Sequence, residues 1–354
     1  MSIETLLEQP LTPWMNGSGL DGDIALSSRI RLARNLEEIP FPNRANEGQL
    51  AGVVTQVKVA AAELNMIDQG KYLFVELDKL LPLQRYVLVE KHIVSPNHIQ
   101  EPKNRALLLR EDTAISVMIN EEDHLRIQCL MPGLNLGEAL ALANQIDDGL
   151  EAKLDIAFNE QMGYLTACPT NLGTGLRASV MLHLPALALT RQTSRIFNAA
   201  TQLGLAVRGL YGEGTEAVGN IYQISNQLTL GYTEQGIIDS LYSVVKQVVD
   251  HERRARSILK EQSGSMLADR VWRAFGTLRY ARSISSQEAM AMLSEVRLGI
   301  DLEIIDEAPA GIFNELLVST RPNFLQKAVG RTDLKAAERD QFRAKMIRDR
   351  INRK

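Results

Sequence analysis

Arg105 to Leu130 reads RALLLREDTAISVMINEEDHLRIQCL, and this stretch decides the fold. Its apolar runs are short: 105–110, 113–119 and 125–130. Charged clusters break them, Glu111-Asp112 and then Glu121 to His124. Runs of this length with polar turns between them predict sequential antiparallel strands. Upstream, Leu50, Val53, Val54, Val57 and Leu64 recur at helical spacing. Downstream, a helix is expected over 136–154, with Ala139, Ala143, Ile146 and Leu150 on one face. Two more strands are expected at 205–211 and 220–226, then a long helix from Glu234 to about Leu259. Strand signals fade after Gln262-Ser263-Gly264-Ser265. There Leu267, Val271, Phe275 and Leu278 form a helical stripe, and Ser285 with Glu288 is a capping-box pattern. The expected fold is α+β: an antiparallel sheet flanked by helices over residues 1–260, then an all-helical domain over 261–354.

Composition narrows the function classes. At 354 residues, 45 % of them apolar, the chain can bury a sizeable core. No window approaches ~18 uninterrupted apolar residues, so no membrane span is expected. The first eight residues carry acids and no long apolar run, unlike a signal peptide. Two cysteines, Cys129 and Cys168, make neither a disulfide framework nor a CxxC metal site, which fits a cytoplasmic location. The net charge of −4 decides little. A dedicated nucleic-acid binder is ordinarily more basic, and no direct nucleic-acid role is expected.

Four segments can carry chemistry. The first is Ser27-Ser28-Arg29-Ile30-Arg31, with Arg34 behind it. In an extended chain Arg29 and Arg31 project to the same side. The pair is either surface charge or a seat for an anion such as a phosphate chain, which planar guanidiniums grip well. The second is Asn120-Glu121-Glu122-Asp123-His124-Leu125-Arg126. It is either a solvated hairpin turn or a carboxylate site for a guanidinium or ammonium group. One neighbouring His without HxxE or HxxxH spacing makes a metal site the weaker reading.

The third segment runs Cys168-Pro169-Thr170-Asn171-Leu172-Gly173-Thr174-Gly175-Leu176-Arg177. Pro169 biases Cys168 toward extended backbone. The thiol could be a nucleophile, a polar substrate contact or a buried small residue. The fourth is Arg208-Gly209-Leu210-Tyr211-Gly212-Glu213, which opens a glycine-rich loop to Gly219. Its formal GxGxxA match is weak, because a strand rather than a helix should follow and Glu213 would repel a pyrophosphate. No GxxxxGK[ST] loop occurs anywhere in the sequence.

Taken together and in order, the four segments resemble the catalytic domain of the phosphagen (guanidino) kinases, over roughly residues 24 to 255. The family's small N-terminal helical domain has no counterpart here, and a helical domain follows instead. That arrangement is similar to the bacterial protein-arginine kinases, and the missing domain would leave the site open to an arginine on a polypeptide. The resemblance implies ATP as phosphoryl donor. Its binding residues would be Ser27, Ser28, Arg29, Ile30, Arg31, His92, Arg126, Arg177, Ala178, Ser179, Val180, Met181, Arg208, Gly209, Leu210, Tyr211 and Gly212. Mg²⁺ would sit mainly on phosphate oxygens and water, with no protein metal motif. Glu122 and Glu213 would grip the guanidinium, one of them taking its proton. Glu121 would support the site, and Cys168 would touch a non-reacting nitrogen.

The segment Arg339-Asp340-Gln341-Phe342-Arg343-Ala344 also resembles the phosphoarginine-binding motif of the protein-arginine kinases, which implies that role for Arg339, Asp340, Arg343 and Ala344. Partners implied in the same way are a heat-shock repressor, misfolded proteins, a zinc-binding activator protein and a Clp-type unfoldase-protease, with a homodimer formed through the helical domain. Two other readings remain: a kinase for a free small guanidine, and a non-catalytic phosphoarginine-binding adaptor.

Overall fold

The structure, a computed structural model, describes residues 2–67, 70–210, 217–308 and 311–352. In chain order come α1 (Ile3–Glu8), β1 (Ala25–Arg34), α2 (Glu47–Ile67), β2 (Tyr72–Glu76) and α3 (Pro82–Glu90). The three runs between 105 and 130 become β3 (Ala106–Arg110), β4 (Ile115–Ile119) and β5 (Leu125–Pro132). Then follow α4 (Leu136–Glu151), β6 (Phe158–Asn159), β7 (Gly163–Tyr164), β8 (Leu176–His183), α5 (Pro185–Leu189), α6 (Thr193–Gln202), β9 (Leu205–Gly209) and β10 (Ile221–Asn226). The chain finishes with α7 (Glu234–Tyr280), α8 (Ser286–Asp301), α9 (Ile312–Ser319), α10 (Pro322–Val329) and α11 (Ala336–Ile351).

Eight strands form one antiparallel sheet in the order β2-β3-β4-β5-β1-β8-β10-β9. β6 and β7 make a separate small hairpin. The sequence pattern does not announce two of the inner strands, β1 and β8. β1 alternates arginines with apolar residues, and β8 sets Arg177 and Ser179 among its apolar residues, so neither reads as a continuous hydrophobic run.

That alternation gives the sheet two different faces. Ile30 and Leu32 of β1, Ile127 of β5, Ala178 and Val180 of β8 and Ile224 of β10 face one way and are fully buried. They pack with apolar side chains of α2, α4 and α7, such as Val57, Ile146 and Leu241. Burying each such side chain contributes about 1.5–3 kcal/mol, so this face anchors the sheet. On the other face the register aligns Gln128, Arg31 and Arg177 in one row across β5, β1 and β8. Further along that face, Met118, Leu130 and Met181 join a second core with Leu88 of α3, Leu293 of α8, Leu316 of α9 and Phe324 of α10. The C-terminal helices therefore cover the end of the same face that carries the arginines.

The helix expected to stop near Leu259 continues to Tyr280. Ser263 departs from helical angles, with φ −136° and ψ 25°, so the Gln262–Ser265 stretch kinks the helix instead of ending it. The 260/261 division read from sequence thus falls inside α7. Ser285 does cap α8, its side chain accepting from the Glu288 amide. Among the described residues, no helix is long and apolar enough to cross a membrane.

Candidate active site

β1, β8, β5 and β9 bring four separated sequence segments to one cleft of about 540 Å³. Arg29, Arg31, Arg126, Arg177 and Arg208 all line it. Arg29 donates to Ser179 Oγ at 3.4 Å and to Gln223 Oε1 at 2.5 Å. Burial and the neighbouring charges of Arg29, Arg126 and Arg177 push the Arg31 guanidinium well below its ordinary pKa. Burial, then Arg208 and Arg126, lowers Arg177 in the same way. Guanidiniums converging on one cleft repel each other, and only a multiply charged anion relieves all of them together.

The acidic turn is built to present a single carboxylate. Asn120 takes a left-handed conformation, φ 61°, and its side-chain amide donates to Leu50 O and Asn104 O. Glu121 points inward and is buried. It accepts from Ser95 Oγ at 2.8 Å and from Arg126 Nη1 at 2.5 Å. Burial raises its carboxyl, but Arg126 and Ser95 outweigh this and hold it below the usual range. Asp123 is buried as well, and its Oδ1 accepts from Asn35 Nδ2 and the Ala167 amide, both at 2.7 Å. This bond ties the turn to the segment carrying Cys168. Glu122 alone of the three is exposed. Partial burial, then the charges of Asp123 and Glu121, raises its carboxyl above the ordinary glutamate range, while Arg126 and Arg177 oppose the rise.

Cys168 is half-buried in extended backbone, φ −95° and ψ 121°. Its Sγ lies 3.0 Å from Thr170 Oγ1. Beyond it, Gly173 (φ +110°) and Gly175 (φ +67°) need conformations that side chains disfavour. A Cβ on Gly175 would lie 2.5 Å from Arg34 Nη1, and one on Gly173 would lie 2.8 Å from Leu230 Cα. The glycines therefore serve close approach by the protein's own chain. Arg34 is not a cleft residue. It is 1 % exposed and pairs with Asp147 Oδ2 at 2.6 Å. It also donates to Thr174 O at 3.0 Å and lies 3.4 Å from the centre of the Tyr164 ring.

The remaining sequence candidates fall into distinct places. His92 lines the cleft with φ 59° and packs edge-on against Trp14. Burial, then the Arg29 and Arg321 charges, lowers its imidazole to about 3, so it is neutral near pH 7. Gly209 and Leu210 also line the cleft. Ser27, Ser179 and Met181 are buried, Ser179 beneath Arg29. Ser28 is fully buried and bonds Gly133 O and the Asn135 amide. The side chains of Ile30, Ala178 and Val180 face the core, so their contribution is to hold the arginine-bearing strands. Tyr211, Gly212 and Glu213 lie outside the described residues.

Far from the cleft arginines in sequence, Arg343 is 2 % exposed, and its guanidinium donates to Thr320 O and Ile284 O, each at 2.9 Å, and to Asp340 Oδ1 at 2.5 Å. Ala344 is buried beside it, whereas Arg339 and Asp340 are half-exposed.

Comparison with known proteins gives the family. Residues 53–255 match the model of the ATP:guanido phosphotransferase C-terminal catalytic domain, and residues 264–354 match that of the protein-arginine kinase McsB C-terminal domain. The protein-arginine kinase of Bacillus subtilis is 51 % identical over 352 residues, covering 99 % of this chain and 96 % of that protein. That of Desulforamulus reducens is 49 % identical over 353 residues, 99 % of each. The chain belongs to the protein-arginine kinase family. Among solved structures, a lombricine kinase is similar with a TM-score of 0.57 and 26 % identity, over 70 % of this chain and 73 % of that one. A duplicated taurocyamine kinase from Schistosoma mansoni, with bound transition-state analogue components, gives 0.58 and 27 %, over 75 % and 40 %. In this kinase, then, an ATP-using guanidino phosphotransferase sheet and a C-terminal helical module characteristic of protein-arginine kinases share one chain.

Three supports of the cleft were not legible in sequence. Ser95 steadies Glu121, Gln223 holds Arg29, and Asn35 bridges Asp123, His124 and Leu165. All are neutral polar residues in no motif, and only tertiary structure reveals them.

Proposed function

We propose that the five cleft arginines cradle the phosphates of ATP and that Glu122 receives the proton of the acceptor guanidinium. The observation that carries this is the pairing of a cationic floor with one exposed carboxylate, Glu122, which feels two of that floor's charges, Arg126 and Arg177. A guanidinium is protonated at neutral pH and has no good nucleophilic lone pair. As one N–H proton passes to Glu122, that nitrogen's electron pair forms the bond to the γ-phosphorus. The bond from phosphorus to the bridging oxygen breaks, and its electron pair leaves on ADP. Holding donor and acceptor in line supplies much of the acceleration. Glu213 is proposed as the second acid gripping the guanidinium, and Cys168 as a contact to a nitrogen that does not react. Mg²⁺ arriving with ATP would neutralise phosphate charge, held by phosphate oxygens and water. Glu121 fits a water-mediated contact to it, since a carboxylate has about four lone-pair sites and the bonds from Ser95, Arg126 and the Glu122 amide leave one open.

The acceptor proposed is an arginine side chain in a protein. The substrates would be a heat-shock repressor and misfolded proteins, marked for a Clp-type unfoldase-protease during stress, with a zinc-binding activator protein, in the cytoplasm and as a homodimer. We divide the work between residues 1–260, for transfer, and 261–354, for recognition. Incubation with ATP and either free arginine or an unfolded protein tests the acceptor: acid-labile phosphate appears on the protein. Label confined to free arginine would favour the small-guanidine kinase, and none on either would favour the adaptor.

Phosphoarginine recognition by Arg339, Asp340, Arg343 and Ala344 is likewise proposed. Because Arg343 is buried in carbonyl and carboxylate contacts, Arg343→Ala will lower the melting temperature as well as phosphopeptide affinity. Arg339→Ala is the cleaner probe, since Arg339 is half-exposed and donates to Leu334 O. It will weaken binding of a phosphoarginine peptide in a calorimetric titration while the melting temperature stays put. Unchanged affinity in that variant would reject the pocket.

A further inference from the structure

Arg321 lines the same cleft as Arg29, Arg31, Arg126, Arg177 and Arg208, although it belongs to the C-terminal helical segment. It lies nearly 200 residues from the anionic turn in sequence and falls in no motif. Its position is fixed from both sides. Arg321 is the cap residue immediately before α10, with extended backbone at φ −69° and ψ 149°. Just after it, the amides of Asn323 and Phe324 donate to Glu90 Oε1 at 2.9 Å and Oε2 at 2.7 Å. Glu90 is the buried last residue of α3 and itself lines the cleft, two residues before His92. Just before Arg321, Thr320 O accepts from buried Arg343 of α11, and the Thr320 hydroxyl donates to Leu316 O. The start of α10 is thereby fastened to the cleft wall.

We infer that Arg321 is a sixth guanidinium of the phosphate-binding cage, supplied by the helical segment and not by the sheet. This rests on reading the cleft as the ATP site. The electrostatics agree, because the Arg321 charge is felt by His92 and Glu90 in the cleft wall and by Arg343 behind it. A further cation in an already cationic cleft is unfavourable until a polyanion enters. Glu90 feels that charge and offsets part of it, while its carboxylate also accepts from the α10 amides. A di- or triphosphate chain supplies the charge, and guanidiniums bind its oxygens through forked donors. Bound nucleotide would then bridge the sheet and the helical segment directly.

Arginine-selective labelling with phenylglyoxal, read by mass spectrometry on the full-length wild-type chain, tests this. ATP and ADP will protect Arg321 together with the sheet arginines, and adenosine will not. In titrations, Arg321→Ala will raise the Kd for ATP and ADP about tenfold, the usual scale for a charged hydrogen bond. Arg321→Lys will raise it less, and adenosine affinity will stay the same in both. If ATP protects the five sheet arginines while Arg321 reacts at its ligand-free rate, the inference is wrong and the nucleotide site stands. If ATP protects none of the six, both fail. Wild-type ATP affinity in Arg321→Ala would also overturn it. Should that variant not fold, the wild-type footprint and Arg321→Lys still decide.

Discussion

Glu122→Gln will lower kcat by roughly 10²–10⁴-fold, the usual span for losing a general base, and leave the Kd for ATP unchanged. The amide keeps the shape and can still touch the acceptor, but it cannot take a proton. ATP binding is spared because, on the proposed site, the phosphates would rest on the arginines. The pH profile of the wild type carries the same information. Glu122 must be ionised to act, and its pKa lies above the ordinary glutamate value of about 4.3. The acid limb of kcat/KM will therefore fall above that value, with activity lost as pH drops through it. Near wild-type turnover in Glu122→Gln would remove Glu122 from the proton-accepting role.

Asp147→Ala will destabilise the protein by about 3–5 kcal/mol, the range for stripping one partner from a buried ion pair. Arg34 and Asp147 are 1 % and 7 % exposed at their side chains. Burial raises the Asp147 carboxyl to about 6 against the pull of Arg34, so the pair is ionised near pH 7. Without Asp147, the Arg34 charge stays buried, held only by carbonyls and the Tyr164 ring. Chemical denaturation measures the loss. Replacing both members together, as Arg34→Met with Asp147→Leu, will recover much of it, because no orphan charge is left. A single variant as stable as wild type would mean that the pair does not brace the fold. Activity will fall too, since Arg34 holds Thr174, two residues before the Arg177 strand begins at Leu176.

Local patterns made much of this molecule legible. β3, β4 and β5 showed in Arg105 to Leu130 because short apolar runs alternate there with charged turns. The four chemical segments stood out because unusual residues cluster within a few positions. Legibility ended where meaning depends on distant partners. β1 and β8 hide because their outward positions carry Arg29, Arg31 and Arg177. The polar Gln262–Ser265 stretch looks like a linker, yet the helix survives it with one distorted residue. α11 looks like a solvated basic helix, but Arg343 is packed under the carbonyls of Thr320 and Ile284. Arg321 and Glu90 acquire their positions only when α10 docks on α3.

The alternation along β1 has a consequence for how the chain finds its fold. Sliding β1 by one position against β5 and β8 would turn Arg29 and Arg31 into the apolar layer beneath the sheet and expose Ile30 and Leu32. Burying unpaired guanidiniums there would be prohibitive. The arginines of the cleft thus also serve as registration marks during folding, excluding the mispaired sheet before any ligand is present.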